Sequence, residues 1–236
     1  MNLPALILAA GRGKRMQPLT DHTPKPLLNV QGKRLIEWHL EALARDGVRD
    51  VVINTAWLED QFPAALGNGS RWGLNLQYSM ETRDHGGALE TAGGIAKALP
   101  WLGDTFWVLA GDVFVPSFRF DDAAAQRFAS SQDWAHLWMV SNPEHNPTGD
   151  FAVSPQGRVR RKEQASPGTP CLTYSTIGLY RAAMVQQVEA GSRAALRPCL
   201  DRAIDHDRLS GELHAGPWAD VGTPARLAEL NEIPVR

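Results

Sequence analysis

Residues 11–25 of this chain read GRGKRMQPLTDHTPK and follow an apolar run, Leu3–Ala10. A glycine loop that leaves a buried strand can turn its backbone N–H groups toward a phosphate chain. Gly11 and Gly13 permit close approach of such a group, and Arg15 can grip phosphate oxygens in a bidentate fork. Lys25 stands between Pro24 and Pro26, which stiffen the backbone and deliver its ammonium from a preorganised segment. Two common phosphate loops do not fit. In the dinucleotide fingerprint the third glycine would fall on Met16, and in the Walker A loop Arg15 takes the place of the magnesium-binding hydroxyl.

Two carboxylates have positions suited to a divalent cation. Asp112 closes the apolar stretch Thr105–Asp112, at the carboxyl edge where open α/β sheets bind ligands. Asp220 lies in PWADVGTP, just before a final helical stretch. Magnesium takes one or two carboxylates together with phosphates and water, so these two residues are the candidates should the chemistry call for Mg2+. Asp84, Asp104, Asp121 and Asp122 read instead as caps of turns and helices. The seven histidines are scattered without H-x-x-H spacing, and none is assigned to a metal. Cys171 and Cys199 are too few and too isolated for a disulfide framework or a thiolate zinc site.

The elements that must position these residues follow an alternating order. Leu3–Ala10, Asp50–Asn54, LNLQYSME and Thr105–Asp112 read as strands. Between them, RLIEWHLEALARDGV carries a helical apolar stripe, WLEDQFPAALGNG a short helix, and ALETAGGIAKALP a loop leading into a helix that ends at Pro100. This βαβαβαβ order predicts a Rossmann-like, doubly wound, mostly parallel α/β sheet. After Asp112 come strand-like stretches without helices between them, AHLWMVSN, DFAVSPQGRV and TYSTIGLYRA, which predict antiparallel additions. Helical stretches follow around Met184–Ala190 and Ala194–Ile204, then a strand near Glu212–His214.

With 43% hydrophobic residues in 236, the chain can bury a sizeable core, and residues 1–236 read as one domain. About residues 1–112 read as a nucleotide half and 113–236 as a half that covers a second substrate. A net charge of −2 with dispersed basic residues gives no footprint for nucleic acid. The amino terminus lacks a basic region before its short apolar run, so neither a signal peptide nor a membrane span is expected. A cytoplasmic location follows.

LAAGRGKRMQPLTDHTPKPL resembles the signature of the sugar-1-phosphate nucleotidyltransferases. The resemblance implies a glycosyltransferase-A-like fold in which Ala10, Gly11 and Gly13 hold the triphosphate of an NTP. Arg15 and Lys25 would be the catalytic cations, neutralising charge around the α-phosphate and the incoming sugar phosphate. It also places Asp112 and Asp220 on the metal, and Asn54, Gly93 and Gly94 near the nucleotide base, with Glu90 in support. Further segments, among them INTAWLEDQF, GSRWGLNLQYS, NPEHNPTGDF and WADVGTPARLAEL, are similar to the short bacterial N-acetylmuramate-1-phosphate uridylyltransferases of cell-wall recycling. That similarity implies UTP as donor and UDP-N-acetylmuramate as product, with Gly149, Asp150, Glu163 and Thr176 at the sugar.

Glu163 enters as the nearest match to a Glu-Lys-Pro motif, here Lys162-Glu163-Gln164, and METRDHGGALE departs from the loop found ahead of the base in relatives. The implied reaction is an in-line displacement that needs positioned charge and no general base, because the attacking phosphate is already ionised. Mannose-, glucose- or heptose-1-phosphate, with GTP or dTTP, is the alternative substrate set. A silent nucleotide-binding module is the alternative from another class, and it predicts loss of Arg15, Lys25, Asp112 or Asp220; all four are present.

Overall fold

The computed structural model describes residues 2–232; the ends of the expected 1–236 domain lie outside them. The first half alternates as expected. β1 (Ala5–Leu8) leads through the glycine loop to a two-residue hairpin, β2 (Asn29–Val30) and β3 (Lys33–Arg34), then α1 (Leu35–Arg45), β4 (Asp50–Thr55), α2 (Gln61–Leu66) and β5 (Asn75–Met80). A short α3 (Glu81–His85) precedes α4 (Glu90–Leu102), β6 (Thr105–Ala110) and β7 (Val113–Phe114). The second half holds α5 (Asp122–Ser130), β8 (Ala135–Val140), β9 (Phe151–Val153), β10 (Val159–Arg160) and the long β11 (Cys171–Arg181). It closes with α6 (Leu196–Asp205), β12 (Leu209–Leu213), β13 (Ala219–Asp220) and α7 (Pro224–Glu232).

β5, β4, β1 and β6 form a parallel block, with Leu8 paired to both Asn54 and Ala110. β11 joins β6 antiparallel, β8 joins β11 antiparallel, and β9–β10 extends the far end of β11. The sheet is therefore parallel where the nucleotide half was expected and mixed beyond it. Its strands read as unbroken apolar runs because both faces are covered. Ala5 and Ile7 pack into one layer with α1, α2 and α5, while Leu6 packs into the other with α4 and α6.

The structure departs from these expectations, or adds to them, at four places. α4 runs through Pro100 to Leu102, because burial of Leu102 in the second layer holds the last turn and Gly103 N–H closes it on Leu99 O. α5 was not expected: its buried stripe is Ala124, Ala125 and Phe128, a weak apolar signal, yet the Asp121 carboxylate caps it by accepting Ala124 N–H at 3.1 Å. Around Met184 only a 3-10 turn forms, Ala182–Val185. The last sheet strand, β12, joins β8 parallel, since α6 carries the chain back across the sheet before it.

Candidate active site

The glycine loop leaves the carboxyl end of β1, and its backbone is held from beneath rather than by its own amides. Ala9 N–H donates to the Asn54 side chain at 2.8 Å, while the amides of Ala10 to Gly13 meet no acceptor among the described residues. Gly13 adopts φ 66°, a left-handed conformation that a glycine takes without steric cost. Thr20 Oγ1 donates to Gly13 O at 2.8 Å, closing the loop on itself. The residue that broke the dinucleotide pattern, Met16, is fully buried with Val30, Leu35, Phe114, Val221 and Leu227. It anchors the loop to the β7 and α7 region, leaving Lys14 and Arg15 exposed with no ion-pair partner among the described residues.

Arg12 lies 3.4 Å over the Trp57 ring, and both donate to the same carbonyl, Thr20 O, at 3.1 and 2.9 Å. The sequence pattern did not single out Trp57. Only a loop of known shape shows that an aromatic plane two residues after the end of β4 would stack under it.

Lys25 rises from a 3-10 turn, Lys25–Leu27, with only about a tenth of its side chain exposed. Its Nζ donates to Asp112 Oδ2 at 2.8 Å, joining the loop to the end of β6 across the cleft floor. Asp112 and Asp220, far apart in sequence, come together because β7 and β13 pair and Val221 N–H donates to Asp112 O at 2.9 Å. Asp220 accepts from Arg226 Nη1 at 2.7 and 2.6 Å and faces His145 Nε2 at 3.1 Å. Gly222 leaves room for that pair, since a Cβ there would meet Asp220 Oδ2 and Arg226 Nη1, each at 2.7 Å.

Two carboxylates on backbone-paired segments, each with a cation as its present partner, are a donor set suited to a hard divalent cation. Among the described residues no cluster of three or more His, Cys, Asp or Glu could hold it unaided. Its remaining positions would fall to phosphate and water, the usual arrangement for magnesium.

Asn54 lines the cleft at the sheet edge, nearly buried, with its side chain bonded within the protein. Its amide donates to Glu81 Oε1 at 2.8 Å, and Glu81 Oε2 accepts Leu89 N–H at 2.8 Å. The chain of bonds ties the start of the glycine loop to the start of α4. Burial pushes the Glu81 carboxyl above its ordinary range, against the pull of these donors and of Lys97. Glu81 is fully buried and escaped notice in the sequence, where one carboxylate in METRDH looks like any surface residue.

The two glycines expected at the base face elsewhere. A Cβ on Gly93 would collide with Ser192 O, and one on Gly94 would meet Asn54 Nδ2 at 2.5 Å and Glu81 Oε1 at 2.7 Å. Both serve close packing. Ala88, Glu90 and Thr91, just before them, are the residues that line the cleft, together with Ala10, Gly11 and Arg12.

The opposite wall belongs to β11. Tyr174, Thr176 and Leu196 line it, with Ala110 and Asp112 at the floor. Gly149 and Asp150 stand behind this wall. Gly149, at φ 66°, admits Leu172 so closely that a Cβ would meet its carbonyl at 2.8 Å. Asp150 accepts Asn146 Nδ2 at 3.0 Å and Tyr174 N–H at 2.9 Å, so both its oxygens are engaged in shaping β11. Glu163 sits exposed on the 3-10 turn Lys162–Gln164 and does not line the cleft. Of the four residues expected at the sugar, the structure brings only Thr176 to the cavity.

The cleft thus joins a strand-bound glycine loop, a lysine bonded to an aspartate at the sheet edge, and a second aspartate delivered by a returning strand. The chain belongs to the Nucleotidyl transferase family, whose model matches residues 4–234. It is 51% identical to the N-acetylmuramate alpha-1-phosphate uridylyltransferase of Neisseria meningitidis serogroup B, over 97% of each chain. It is 33% identical to the enzyme of the same name from Caulobacter vibrioides, over 95% of this chain and 97% of that one. The crystal structure of HddC from Yersinia pseudotuberculosis shares the fold, with a TM-score of 0.72 at 18% identity over 98% of each chain.

Proposed function

We propose that this chain transfers a uridylyl group from UTP to N-acetylmuramate α-1-phosphate, giving UDP-N-acetylmuramate and pyrophosphate, as a step in peptidoglycan recycling. The similarity to the Neisseria relative, extending over nearly the whole of both chains, carries this reading. The acceptor phosphate oxygen attacks the α-phosphorus and pyrophosphate leaves, so the protein's task is alignment and charge neutralisation. Free amides of the glycine loop and Arg15 receive the triphosphate. Lys25, held at the floor by Asp112, presents its ammonium where charge gathers in the transition state. Asp112 and Asp220 are the residues that would hold Mg2+, which supplies neutralisation of the phosphate oxygens when bound.

One domain carries both tasks, with residues up to about 112 serving the nucleotide and later ones the sugar. Among the described residues no helix is long and apolar enough to cross a membrane. Small-molecule substrates drawn from the nucleotide pool fit a cytoplasmic enzyme with neither nucleic acid nor membrane as partner.

Pyrophosphate release with magnesium, crossing UTP, dTTP, GTP and CTP against the 1-phosphates of N-acetylmuramate, N-acetylglucosamine, glucose and mannose, tests the reading. Turnover confined to UTP and the muramate phosphate is expected. Another preferred pair would move the acceptor or base, and silence in every combination would leave a nucleotide-binding module.

A further inference from the structure

The loop NPEHNPTG is more ordered than its turn-rich composition suggests. Two turns follow one another, closed by Asn146 N–H on Pro143 O at 2.9 Å and by Gly149 N–H on Asn146 O at 3.1 Å. Asn142 Nδ2 donates to Pro147 O at 3.1 Å and to Cys171 O at 3.0 Å, and its Oδ1 accepts from Thr173 Oγ1 at 2.9 Å. Asn146 Nδ2 donates to Asp150 Oδ1 at 3.0 Å and to Thr173 Oγ1 at 3.1 Å. Both asparagines therefore fix the loop to the start of β11, and two prolines stiffen it between them.

His145 faces the other way. Its Nε2 stands 3.1 Å from Asp220 Oδ1, within hydrogen-bond distance. Asp220 belongs to β13, which pairs with β7 in a small sheet separate from the one that carries β11. Among the described residues no other hydrogen bond or ion pair joins this loop to β13. The contact falls on one of the two carboxylates suited to the cation. Lys25 ties Asp112 to the glycine-loop side, and His145 ties Asp220 to the β11 side. Arg226 also neutralises Asp220, but it comes from α7, which lines neither part of the cleft.

We propose that His145 is a positioning residue that couples the acceptor wall to Asp220 through an Nε2–H bond. A group that hydrogen-bonds a ligating carboxylate sets its orientation, and losing it costs about 10- to 100-fold in metal affinity. The imidazole rides on a loop bonded to Asp150, and Asp150 holds Tyr174 N–H in the cleft wall. An acceptor seated on that wall and a cation on Asp220 favour the same loop position, so each tightens the other. The proposal rests on reading the chain as a sugar-1-phosphate nucleotidyltransferase that takes a divalent cation.

Electron paramagnetic resonance of unbound Mn2+ tests this on the full-length protein held with α,β-methylene-UTP, where no turnover occurs. His145→Ala weakens Mn2+ about tenfold, whereas His145→Gln, whose Nε2 replaces the imidazole donor, stays within about threefold of wild type. N-acetylmuramate 1-phosphate tightens Mn2+ on wild type about tenfold, and His145→Ala cuts that factor to about threefold or less. Both variants melt with wild type, because the side chain lies at the surface of its loop. Wild-type Mn2+ affinity in His145→Ala overturns the proposal, as does an equal loss in His145→Gln. A weakened site whose response to the acceptor is unchanged also overturns it, since the loop then carries no coupling. If another sugar phosphate tightens Mn2+ and the muramate phosphate does not, the muramate assignment fails, and the same comparison with that sugar phosphate decides the role of His145. If no sugar phosphate tightens Mn2+ on wild type, the coupling is refuted.

Discussion

The two walls of the cleft are built on different principles. The glycine-loop wall leaves several donors open: the amides of Ala10 to Gly13 meet no acceptor among the described residues, and Lys14 and Arg15 are exposed. Its rigidity comes from below, through Met16 in the apolar cluster and through the Ala9–Asn54–Glu81–Leu89 chain of hydrogen bonds. The β11 wall is almost entirely satisfied within itself, with Asn142, Asn146, Asp150, Thr173 and Tyr174 bonded to one another. In the proposed reaction the first wall meets a highly charged, chemically uniform triphosphate, and the second meets one acceptor shape. Charge recognition tolerates a loop of open donors, whereas shape recognition needs a wall that cannot move.

The contrast predicts effects of different size and kind. The largest belong to the Lys25–Asp112 pair. Lys25→Ala and Asp112→Asn each lower kcat roughly 100- to 1,000-fold, the scale of removing one preorganised charge from a transition state. Circular dichroism of both variants stays that of the folded protein; a wild-type rate in either would remove the pair from the chemistry.

The support beneath the floor is probed by pH. Burial pushes the His39 imidazole down to about 4, against a backbone hydrogen bond to Val113 and the nearby Asp112 charge. Its folded pKa lies below its unfolded value, so the unfolded chain binds more protons between these limits. Stability is therefore full above about pH 6.5 and falls by about 3 kcal/mol as the pH drops toward 4. Urea melts across that range read the slope, and His39→Leu flattens it whatever its effect on absolute stability. An undiminished slope in that variant would show that another group titrates.

Asp150→Ala sharpens the comparison on the shape-reading side. It leaves Tyr174 N–H without its acceptor, costs about 1–2 kcal/mol in denaturant melts, and raises the KM for the sugar phosphate but not for UTP. A rise in the KM for UTP alone would break the division of labour between the walls. The smallest effect is expected at exposed Glu163, where Glu163→Gln changes neither stability nor acceptor KM by more than about 0.5 kcal/mol. A large acceptor defect there would bring the 161–170 segment into the sugar site.

Local chemistry made the charge-reading wall legible in the sequence. Glycines after an apolar strand, a lysine between prolines and an aspartate at a strand end each depend on near neighbours, and the parallel core depends on unbroken apolar runs that announce burial on both faces. Tertiary structure alone decided what packs against what. Nothing local in ETAGGI shows that Gly93 and Gly94 yield space to Ser192 and to the Asn54–Glu81 pair. Nothing in NPTGD shows that Asp150 turns inward to a strand 24 residues away. The parallel arrival of β12 and the meeting of Asp112 with Asp220 likewise depend on pairings closed across long stretches of chain. A carboxylate or a glycine in the sequence announces only what it can do; which neighbour consumes that capacity is settled when distant segments pack.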